Sequence, residues 1–451
     1  MTKRIVIIGG GPGGYPAALL LAQKGAEVTL IERDKLGGTC LNRGCIPTKV
    51  LLHAAGVLRD IHSSQKFGIR AQEVKLEFSQ LRKHTNEVIK GLASGVQKLC
   101  EAKKIRMIKG TGFFETPRKI RIKETGEVVE GDAIIIATGS VPVTLSGIGG
   151  DETLNSDQAL SLENLPRSMV IIGGGYIGLE FAQIFHALGS KVTVLEMLSQ
   201  LLPNEDADVA KELEGSLKKE GIQIFTKATV KEISGSDAHK VVRYTIHDQQ
   251  ISLKADCVLM AAGRRPYTEG LGLESVGVKT EQGRIVVNND MQTTTTGIYA
   301  IGDVIGGMML AHVATAEGRV AAEHIMGEGR PMDYTSVPRC IYTSPEAASV
   351  GLTEAEAKKK YGEIRVGRFP LSGLGKAHIV GGFGFAKIIS EKKFSRILGV
   401  HLVGPHVTEL IAEAAVAMNL ECTSEEMAYT IHPHPTISEA MMEAAMSLMN
   451  P

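Results

Sequence analysis

The pattern that most restricts the fold of this chain occurs twice. Arg4-Ile5-Val6-Ile7-Ile8, a β-branched run typical of a buried parallel strand, enters Gly9-Gly10-Gly11-Pro12-Gly13-Gly14. Gly9, Gly11 and Gly14 match G-x-G-x-x-G. A helix is expected over 15–24, with Pro16 in its first turn, where a missing N–H does no harm. A second strand, Glu27–Ile31, closes on Glu32. The same order returns in Ser168–Ile172, then Gly173, Gly175 and Gly178, a helix to about Gly189, and Lys191–Leu195 ending on Glu196. Each acid stands 23 positions after the first glycine of its copy. Backbone N–H groups and a helix N-terminus hold a pyrophosphate, and the acid takes a ribose hydroxyl. One such fingerprint is weak evidence. Two, each with strand, helix and acid, imply two dinucleotides on one chain.

A length of 451 residues predicts about three domains. With 43% hydrophobic and 22% charged residues, composition is ordinary and globular. Zero net charge and a pI near 7.2 argue against a nucleic-acid partner or an anionic membrane surface. Apolar runs fall short of a membrane span. Met1-Thr2-Lys3-Arg4 runs straight into a strand, so no signal or transit peptide is expected. Six cysteines are too few for a secreted disulfide scaffold. The expected location is cytoplasmic, where a reactive cysteine pair is catalytic more often than structural.

Such a pair lies in Gly37-Gly38-Thr39-Cys40-Leu41-Asn42-Arg43-Gly44-Cys45-Ile46-Pro47-Thr48-Lys49. An ideal helix would hold Cys40 and Cys45 about 8–9 Å apart, and a disulfide needs roughly 4.4–6.8 Å. The backbone must bend between them, and Gly44 is suited to the bend. A regular helix is expected to start near Cys45, which would lower the pKa of that thiol. Two ordinary buried thiols are the competing reading.

Residues 51–104 read as mainly helical, and 105–136 as short strands with turns at Gly110, Gly112 and Gly126. The strand Asp132–Ile136 ends on Ala137-Thr138-Gly139-Ser140, a small-residue turn that lets backbone approach a ligand. Ala255–Met260 and the turn at Gly263 echo it. Gly297–Asp303 reads as a strand ending on an acid. From about 338 the pattern becomes α+β, with strands near 364–370, 383–390 and 396–403, a helix near 407–420 and a Met-rich tail helix.

The dithiol follows the first fingerprint closely, so the first dinucleotide must adjoin it. A flavin suits that place, and an exchangeable nicotinamide suits the second. FAD is therefore expected in the first unit and NAD in the second. Glu196 repels a 2′-phosphate, and no Arg or Lys follows before Lys211, which favours NAD over NADP.

Together these residues resemble the flavin-dependent pyridine nucleotide–disulfide oxidoreductases over essentially the whole chain, and most closely the dihydrolipoamide dehydrogenases among them. The resemblance implies two Rossmann-like dinucleotide-binding domains and a C-terminal α+β dimerisation domain. The expected division is 1–148 with 268–337 for FAD, 149–267 for NAD and 338–451 for the interface. It implies that Cys40 is the interchange thiol, that Cys45 adjoins the flavin, and that Lys49, paired with Glu180, lies at the flavin's reactive edge. Asp303 would hold the ribitol, and Ala311 and His312 would lie near the flavin. Gly112, Thr138, Gly139 and Gly263 complete the expected cofactor-contacting set. His434 and Glu439, in His434-Pro435-Thr436-Ile437-Ser438-Glu439, are similar to the family's His–Glu pair. A histidine, with an ordinary pKa of about 6.5, is a natural base for a dithiol, and Glu439 would orient it. The resemblance also implies a homodimer, with His434 meeting Cys40 across it, and a lipoyl-bearing subunit of a 2-oxoacid dehydrogenase or glycine cleavage complex as partner.

The chain departs from the family at Arg43, where a small apolar residue is usual, and at Tyr267, where Asn is frequent. A glutathione-type reductase is the runner-up, disfavoured by Glu196. A mercuric reductase is disfavoured because Leu448-Met449-Asn450-Pro451 holds no cysteine pair. A non-catalytic flavoprotein is disfavoured by the complete set Cys40, Cys45, His434 and Glu439. No metal site is expected, since His432 and His434 lack a third ligand. Cys100, Cys257, Cys340 and Cys422 read as buried core thiols, Lys358-Lys359-Lys360 as a solvated helix face, and Met441, Met442, Met446 and Met449 as core or interface packing. Tyr176 reads either as a nicotinamide gate or as packing.

Overall fold

Ile- and Val-rich runs that are apolar on both faces form the centres of two parallel sheets in the computed structural model, which describes residues 2–145, 147–148, 152–236 and 239–449. In the first sheet β1 (Arg4–Ile8) lies between β2 (Glu27–Glu32) and β7 (Ala133–Ile136), with β3 (Arg106–Lys109) and β19 (Ile298–Ala300) outside them. Ile8 is in register with Ile31 and Ile136. In the second, β9 (Ser168–Ile172) lies between β10 (Lys191–Leu195) and β15 (Cys257–Met260), with β11 (Gln223–Phe225) beyond β10. Ile172 is in register with Leu195 and Met260. The helices α1 (Gly14–Gln23) and α6 (Tyr176–Ala187) make the right-handed crossovers. In both sheets the strand order reverses beside the first strand, which opens a crevice at the carboxyl ends.

The insertions carry most of the differences from the sequence expectation. After α2 (Gly38–Arg43) and α3 (Cys45–Ser63), a 3-10 turn at Ser64–Phe67 and an irregular stretch over 68–77 interrupt the helical run before α4 (Phe78–Ala102). Gly112 is not in a turn. It opens β4 (Gly112–Thr116), paired with β5 (Lys119–Ile122) and β6 (Val128–Glu130). A Cβ there would come 2.9 Å from Ile120 Cγ2, so the bare Cα is needed for packing. The expected strand Ala255–Met260 is broken at Asp256, whose carboxylate accepts the N–H groups of Arg167 and Ser168 at 2.8 and 3.2 Å. Ala255 instead ends β14 (Gln249–Ala255), which pairs with β13 (His239–Ile246) and through it β12 (Thr229–Ser236). The run Gly297–Asp303 leaves the strand early and becomes a 3-10 turn at Gly302–Ile305. Ribbons β8 (Ser140–Pro142) with β16 (Arg264–Pro266), and β17 (Thr280–Glu281) with β18 (Arg284–Ile285), link these parts, with helices α5 (Ser156–Leu160), α7 (Ala207–Glu220) and α8 (Ala311–Met326).

The last third forms an antiparallel sheet in the order β20 (Pro338–Ile341), β21 (Glu346–Gly351), β24 (Ile397–Gly404), β23 (Phe385–Glu391), β22 (Ile364–Pro370). Helices α9 (Glu354–Tyr361), α10 (Gly375–Val380), α11 (Val407–Asn419), α12 (Ser424–Tyr429) and α13 (Glu439–Met446) accompany it. Met441 is buried in that core, whereas Met446 is exposed. The three lysines at 358–360 end α9. Lys387 of β23 is buried and bonds Asp206, Asp208 and Glu354 at 2.8, 2.9 and 2.8 Å, tying this sheet to the start of α7. Among the described residues no helix is long and apolar enough to cross a membrane.

Of the four other cysteines only Cys100 is a fully buried core thiol. Cys257, Cys340 and Cys422 are half-buried. Cys340 lines the large cleft described below. Met1, residues 149–151 at the expected domain boundary, and Asn450-Pro451 of the tail lie outside the described residues.

Candidate active site

The dithiol segment is seated directly on the first fingerprint. Gly37 and Gly38 turn in the left-handed region, at φ 92° and 57°, and the Gly37 N–H donates to Gly10 O at 2.8 Å. A Cβ on Gly38 would come 2.7 Å from Gly11 Cα, so only glycine permits this approach. Cys40 then lies within α2. Gly44, at φ −146° and ψ −111°, breaks the helix, and Cys45 is the first residue of α3, whose first turn contains Pro47. Thr48 fastens the break by donating its hydroxyl to Gly44 O at 2.6 Å.

Both thiols are free and half-buried. A hydrogen bond from Cys40 lowers the Cys45 thiol to about 7, with burial opposing and the Lys49 ammonium assisting. Cys40, the donor of that bond and itself buried, is pushed well above the ordinary thiol range. The reduced pair therefore favours a thiolate at Cys45 and a thiol at Cys40.

Lys49 projects from α3 to Glu180 of α6, with Nζ 2.8 and 3.0 Å from the two carboxylate oxygens. Its ammonium also lies 4.3 Å from the centre of the Tyr342 ring, and the Tyr342 N–H donates to Glu180 at 3.1 Å. Arg43 pairs with Asp34 at 2.5 Å and Asp157 at 3.3 Å.

A single cleft of about 2050 Å³ runs past these groups. Cys40, Cys45, Lys49 and Glu180 line it with Gly9, Gly11, Glu32, Gly112, Thr138, Gly139, Asp303, Ala311 and His312 from the first part of the site. Gly175 and Tyr176 enter from the second fingerprint. Asp303 is held from one side by the Ser140 hydroxyl at 2.5 Å, which itself accepts from Arg264 Nε at 2.8 Å. The Gly302 N–H is held from behind by the buried carboxylate of Glu317 at 2.6 Å. The Thr138 hydroxyl donates to Tyr267 O at 2.7 Å, and His312 Nε2 is 2.9 Å from Pro338 O.

Gly14, Gly173, Gly178, Glu196 and Gly263 are not among the lining residues. Gly14 and Gly178 act beneath the surface: a Cβ would fall 1.8 Å from Gly9 O or 2.0 Å from Gly173 O, so these glycines set how closely helix meets strand. Gly173 is left-handed at φ 110°, against Ala261. Glu196 is buried, and its oxygens accept the N–H groups of Gly174 at 2.6 Å and Leu198 at 2.7 Å. Glu32 likewise accepts from Gly10 and Asp34, at 2.7 and 2.8 Å. Each carboxylate oxygen retains acceptor capacity for a ribose hydroxyl.

The remaining expected pair stands apart in this single chain. His434 Nδ1 is 2.8 Å from Glu439 Oε1, and the other oxygen of Glu439 accepts the Thr436 N–H at 2.8 Å. These bonds, the backbone one first, hold the Glu439 carboxyl below its ordinary pKa. The His434 side chain is 76% exposed, and neither residue lines the cleft. His432 pairs separately with Glu413 at 2.8 Å. Among the described residues, no group of three or more His, Cys, Asp or Glu side chains is placed to hold a metal ion. The expected site omitted Tyr342, Arg264, Ser140 and Glu317. Only Ser140 and Arg264 carried a sequence signal, as neighbours of the two small-residue turns.

The cleft passes the test for two dinucleotides. Above the middle glycine of each fingerprint the space is open: a Cβ on Gly175 would meet nothing within 4 Å, and one on Gly11 only Gly38 Cα at 3.8 Å. That is where backbone must come close to a pyrophosphate. Residues 3–318 match the family model for pyridine nucleotide-disulphide oxidoreductase, and 337–445 match the dimerisation domain of the same family. The chain is 44% identical to a dihydrolipoyl dehydrogenase of Bacillus subtilis (strain 168), over 98% of this chain and 97% of that one. It is 43% identical to a dihydrolipoyl dehydrogenase of Thermus scotoductus (strain ATCC 700910 / SA-01), over 99% and 97%. The crystal structure of LpdA from Mycobacterium tuberculosis superposes with a TM-score of 0.91 at 31% identity, covering 99% of this chain and 100% of that one. With its two fingerprints, seated dithiol and C-terminal sheet, the chain belongs to the pyridine nucleotide-disulphide oxidoreductase family, whose cofactors FAD and NAD it uses.

Proposed function

We propose that this chain acts as a dihydrolipoyl dehydrogenase, oxidising protein-bound dihydrolipoyl groups and reducing NAD⁺. The observation that carries the reading is the seating of Cys40 and Cys45 on the first fingerprint, in one cleft with the second. In this reading 1–148 with 268–337 holds FAD, 149–267 holds NAD, and 338–451 forms the interface of a homodimer. The first fingerprint, Glu32, Gly112, Thr138, Gly139, Asp303, Ala311 and His312 serve FAD. The second fingerprint, Glu196 and Gly263 serve NAD. The protein works in the cytoplasm, with a lipoyl-bearing subunit of a 2-oxoacid dehydrogenase or glycine cleavage complex as its partner.

His434 of the partner subunit, oriented by its Glu439, removes a proton from the dihydrolipoyl dithiol. The resulting thiolate attacks Cys40 Sγ of the oxidised pair, and the Cys40–Cys45 bond breaks with its electron pair on Cys45. The helix N-terminus and Lys49 stabilise that thiolate. The second substrate thiol, deprotonated in turn, attacks the mixed disulfide. It releases oxidised lipoyl and leaves Cys40 to take up a proton. FAD held by the first fingerprint, with Cys45 beside it, would supply the two-electron relay: the Cys40–Cys45 bond re-forms, and its two electrons and the Cys40 proton would leave as hydride to NAD⁺. Glu180 keeps Lys49 in place throughout.

The test is dihydrolipoamide-dependent reduction of NAD⁺ by the purified flavoprotein, run beside NADPH-dependent reduction of glutathione disulfide. Turnover with dihydrolipoamide and none with glutathione is expected. Activity with glutathione alone overturns the reading. In the same assay His434→Ala should lower turnover at least about 100-fold with flavin content unchanged, in the range for loss of a general base.

A further inference from the structure

We infer that Tyr342, through the face of its ring, is a positioning residue for Lys49, keeping the ammonium where its charge still reaches Cys45; this rests on the roles proposed above for Lys49 and Cys45. Lysine is a compact charge on a flexible four-carbon stem, and a single carboxylate leaves it free to swing. Here the Lys49 side chain is about one-third exposed, so the Glu180 bonds at 2.8 and 3.0 Å do not enclose it. The Tyr342 ring, 4.3 Å from Nζ, supplies the second wall. The same residue's N–H fixes Glu180 at 3.1 Å, so Lys49, Glu180 and Tyr342 close a triangle drawn from three distant parts of the chain.

The triangle matters because its two charges act on Cys45 in opposite senses. Lys49 favours the thiolate and Glu180 disfavours it. With Nζ already 2.8 and 3.0 Å from the two Glu180 oxygens, the pull of the ammonium on sulfur depends on where around that carboxylate it is held. A ring face attracts the cation and adds no negative charge that would cancel it. Burial pushes the Tyr342 hydroxyl above its ordinary range, so the ring stays neutral and acts by its face. The titratable groups that bear on Cys45 are Cys40, Lys49 and Glu180, with Tyr176 nearby, and those that bear on Tyr342 are Cys340, Glu180, Glu346 and Glu409. The hydroxyl has no part in the inference, so Phe should serve at this position and an aliphatic residue should not.

The experiment follows the pH profile of Cys45 carbamidomethylation in reduced holoenzyme, resolved by peptide mass spectrometry. A Cys40→Ser background keeps a hydroxyl donor to Cys45 and removes the competing thiol. Tyr342→Phe should hold the midpoint within about 0.2 of a pH unit, and Tyr342→Leu should raise it by about half a unit or more. Tyr342→Met, unbranched and without a π face, should behave as Leu does and stands in for it if Leu impairs folding, judged by flavin content. Lys49→Met should raise the midpoint furthest. An unmoved midpoint in both Leu and Met variants overturns the inference, as does an equal shift in Phe. If Lys49→Met also leaves the midpoint unmoved, it is the role of Lys49 that fails.

Discussion

The two fingerprints make the same hydrogen bond to different neighbours. Gly10 O accepts the N–H of Gly37, and Gly174 O accepts the N–H of Leu202. In the first copy that bond seats the segment carrying Cys40 and Cys45. In the second it seats Leu198–Leu202, which bears no reactive side chain. The surroundings differ in kind as well. Pro12 of the first copy lies under α8, accepting the Thr315 hydroxyl at 2.8 Å, and Gly318 approaches Gly13 so closely that a Cβ would fall 2.7 Å from Gly13 O. Tyr176 stands at the corresponding place in the second copy and is 40% exposed. One backbone device thus serves a covered site beside the dithiol and a more open one. In the proposed assignment of FAD to the first unit and NAD to the second, the neighbours, and not the glycines, are what distinguish the two sites.

The largest effects should come from the buried third glycine of each copy. Gly14→Val and Gly178→Val each force a side chain into a strand-end carbonyl, at Gly9 and Gly173 respectively. Gly14→Val should yield protein without flavin. Gly178→Val should remain yellow, yet lose NAD-linked turnover by about 100-fold or more, roughly 3 kcal/mol of lost binding. Flavin absorbance and steady-state kinetics on both variants check this. Loss of flavin from Gly178→Val would mean that the two units are not independent.

A smaller effect should separate the two acids. Glu196→Gln removes the charge that repels a 2′-phosphate and keeps an acceptor oxygen for one of the Gly174 and Leu198 N–H groups, with its amide nitrogen facing the other. The preference for NAD over NADP, read as a ratio of kcat/KM values, should narrow by about tenfold. Glu32→Gln should leave that ratio where it is and speed flavin release instead. A nucleotide preference that moves equally in both variants would end the distinction between the two sites.

What the sequence made legible follows from how local each determinant is. Strand, glycine turn, helix and acid of a fingerprint fall within about 30 residues, so spacing alone finds them. The bend at Gly44 and the helix start at Cys45 are equally local, since disulfide geometry demands them. Long-range determinants are a different matter. Lys49 meets Glu180 across 131 positions, and Glu180 meets the Tyr342 N–H across 162. The family resemblance implied the first contact, and nothing in the local sequence marks the second. Cys340 looks like any apolar core cysteine until β20 turns it toward the cleft. Gly112 reads as a turn because its role, making room for Ile120 and Ile31, is set by packing that no local signal records. Glu196 falls at the expected position and accepts the same pair of backbone N–H groups as Glu32, yet of the two only Glu32 lines the cleft.

The smallest effect concerns the residue that follows each acid. Arg33 follows Glu32 and stacks on Tyr267, with its guanidinium carbon 4.2 Å from the ring centre. Tyr267 is itself anchored, its N–H donating to Gly139 O at 2.9 Å and its carbonyl accepting from Thr138. The residue after Glu196 is Met197, 64% exposed. A clasp between positions 33 and 267 therefore closes the cleft wall beside Glu32, where the first fingerprint expects an adenosine ribose. An exposed cation–π pair contributes about 0.5–1 kcal/mol, so Tyr267→Leu should speed flavin dissociation by roughly two- to fivefold. Arg33→Met should do the same, and the double variant should be no faster than either single one, because both remove one interaction. The Michaelis constant for NAD should not move in any of the three. Flavin release followed by fluorescence, with NAD titrated in parallel, measures both. Additive acceleration in the double variant would mean that Arg33 and Tyr267 act separately and that the first site owes its tighter hold to α8 alone.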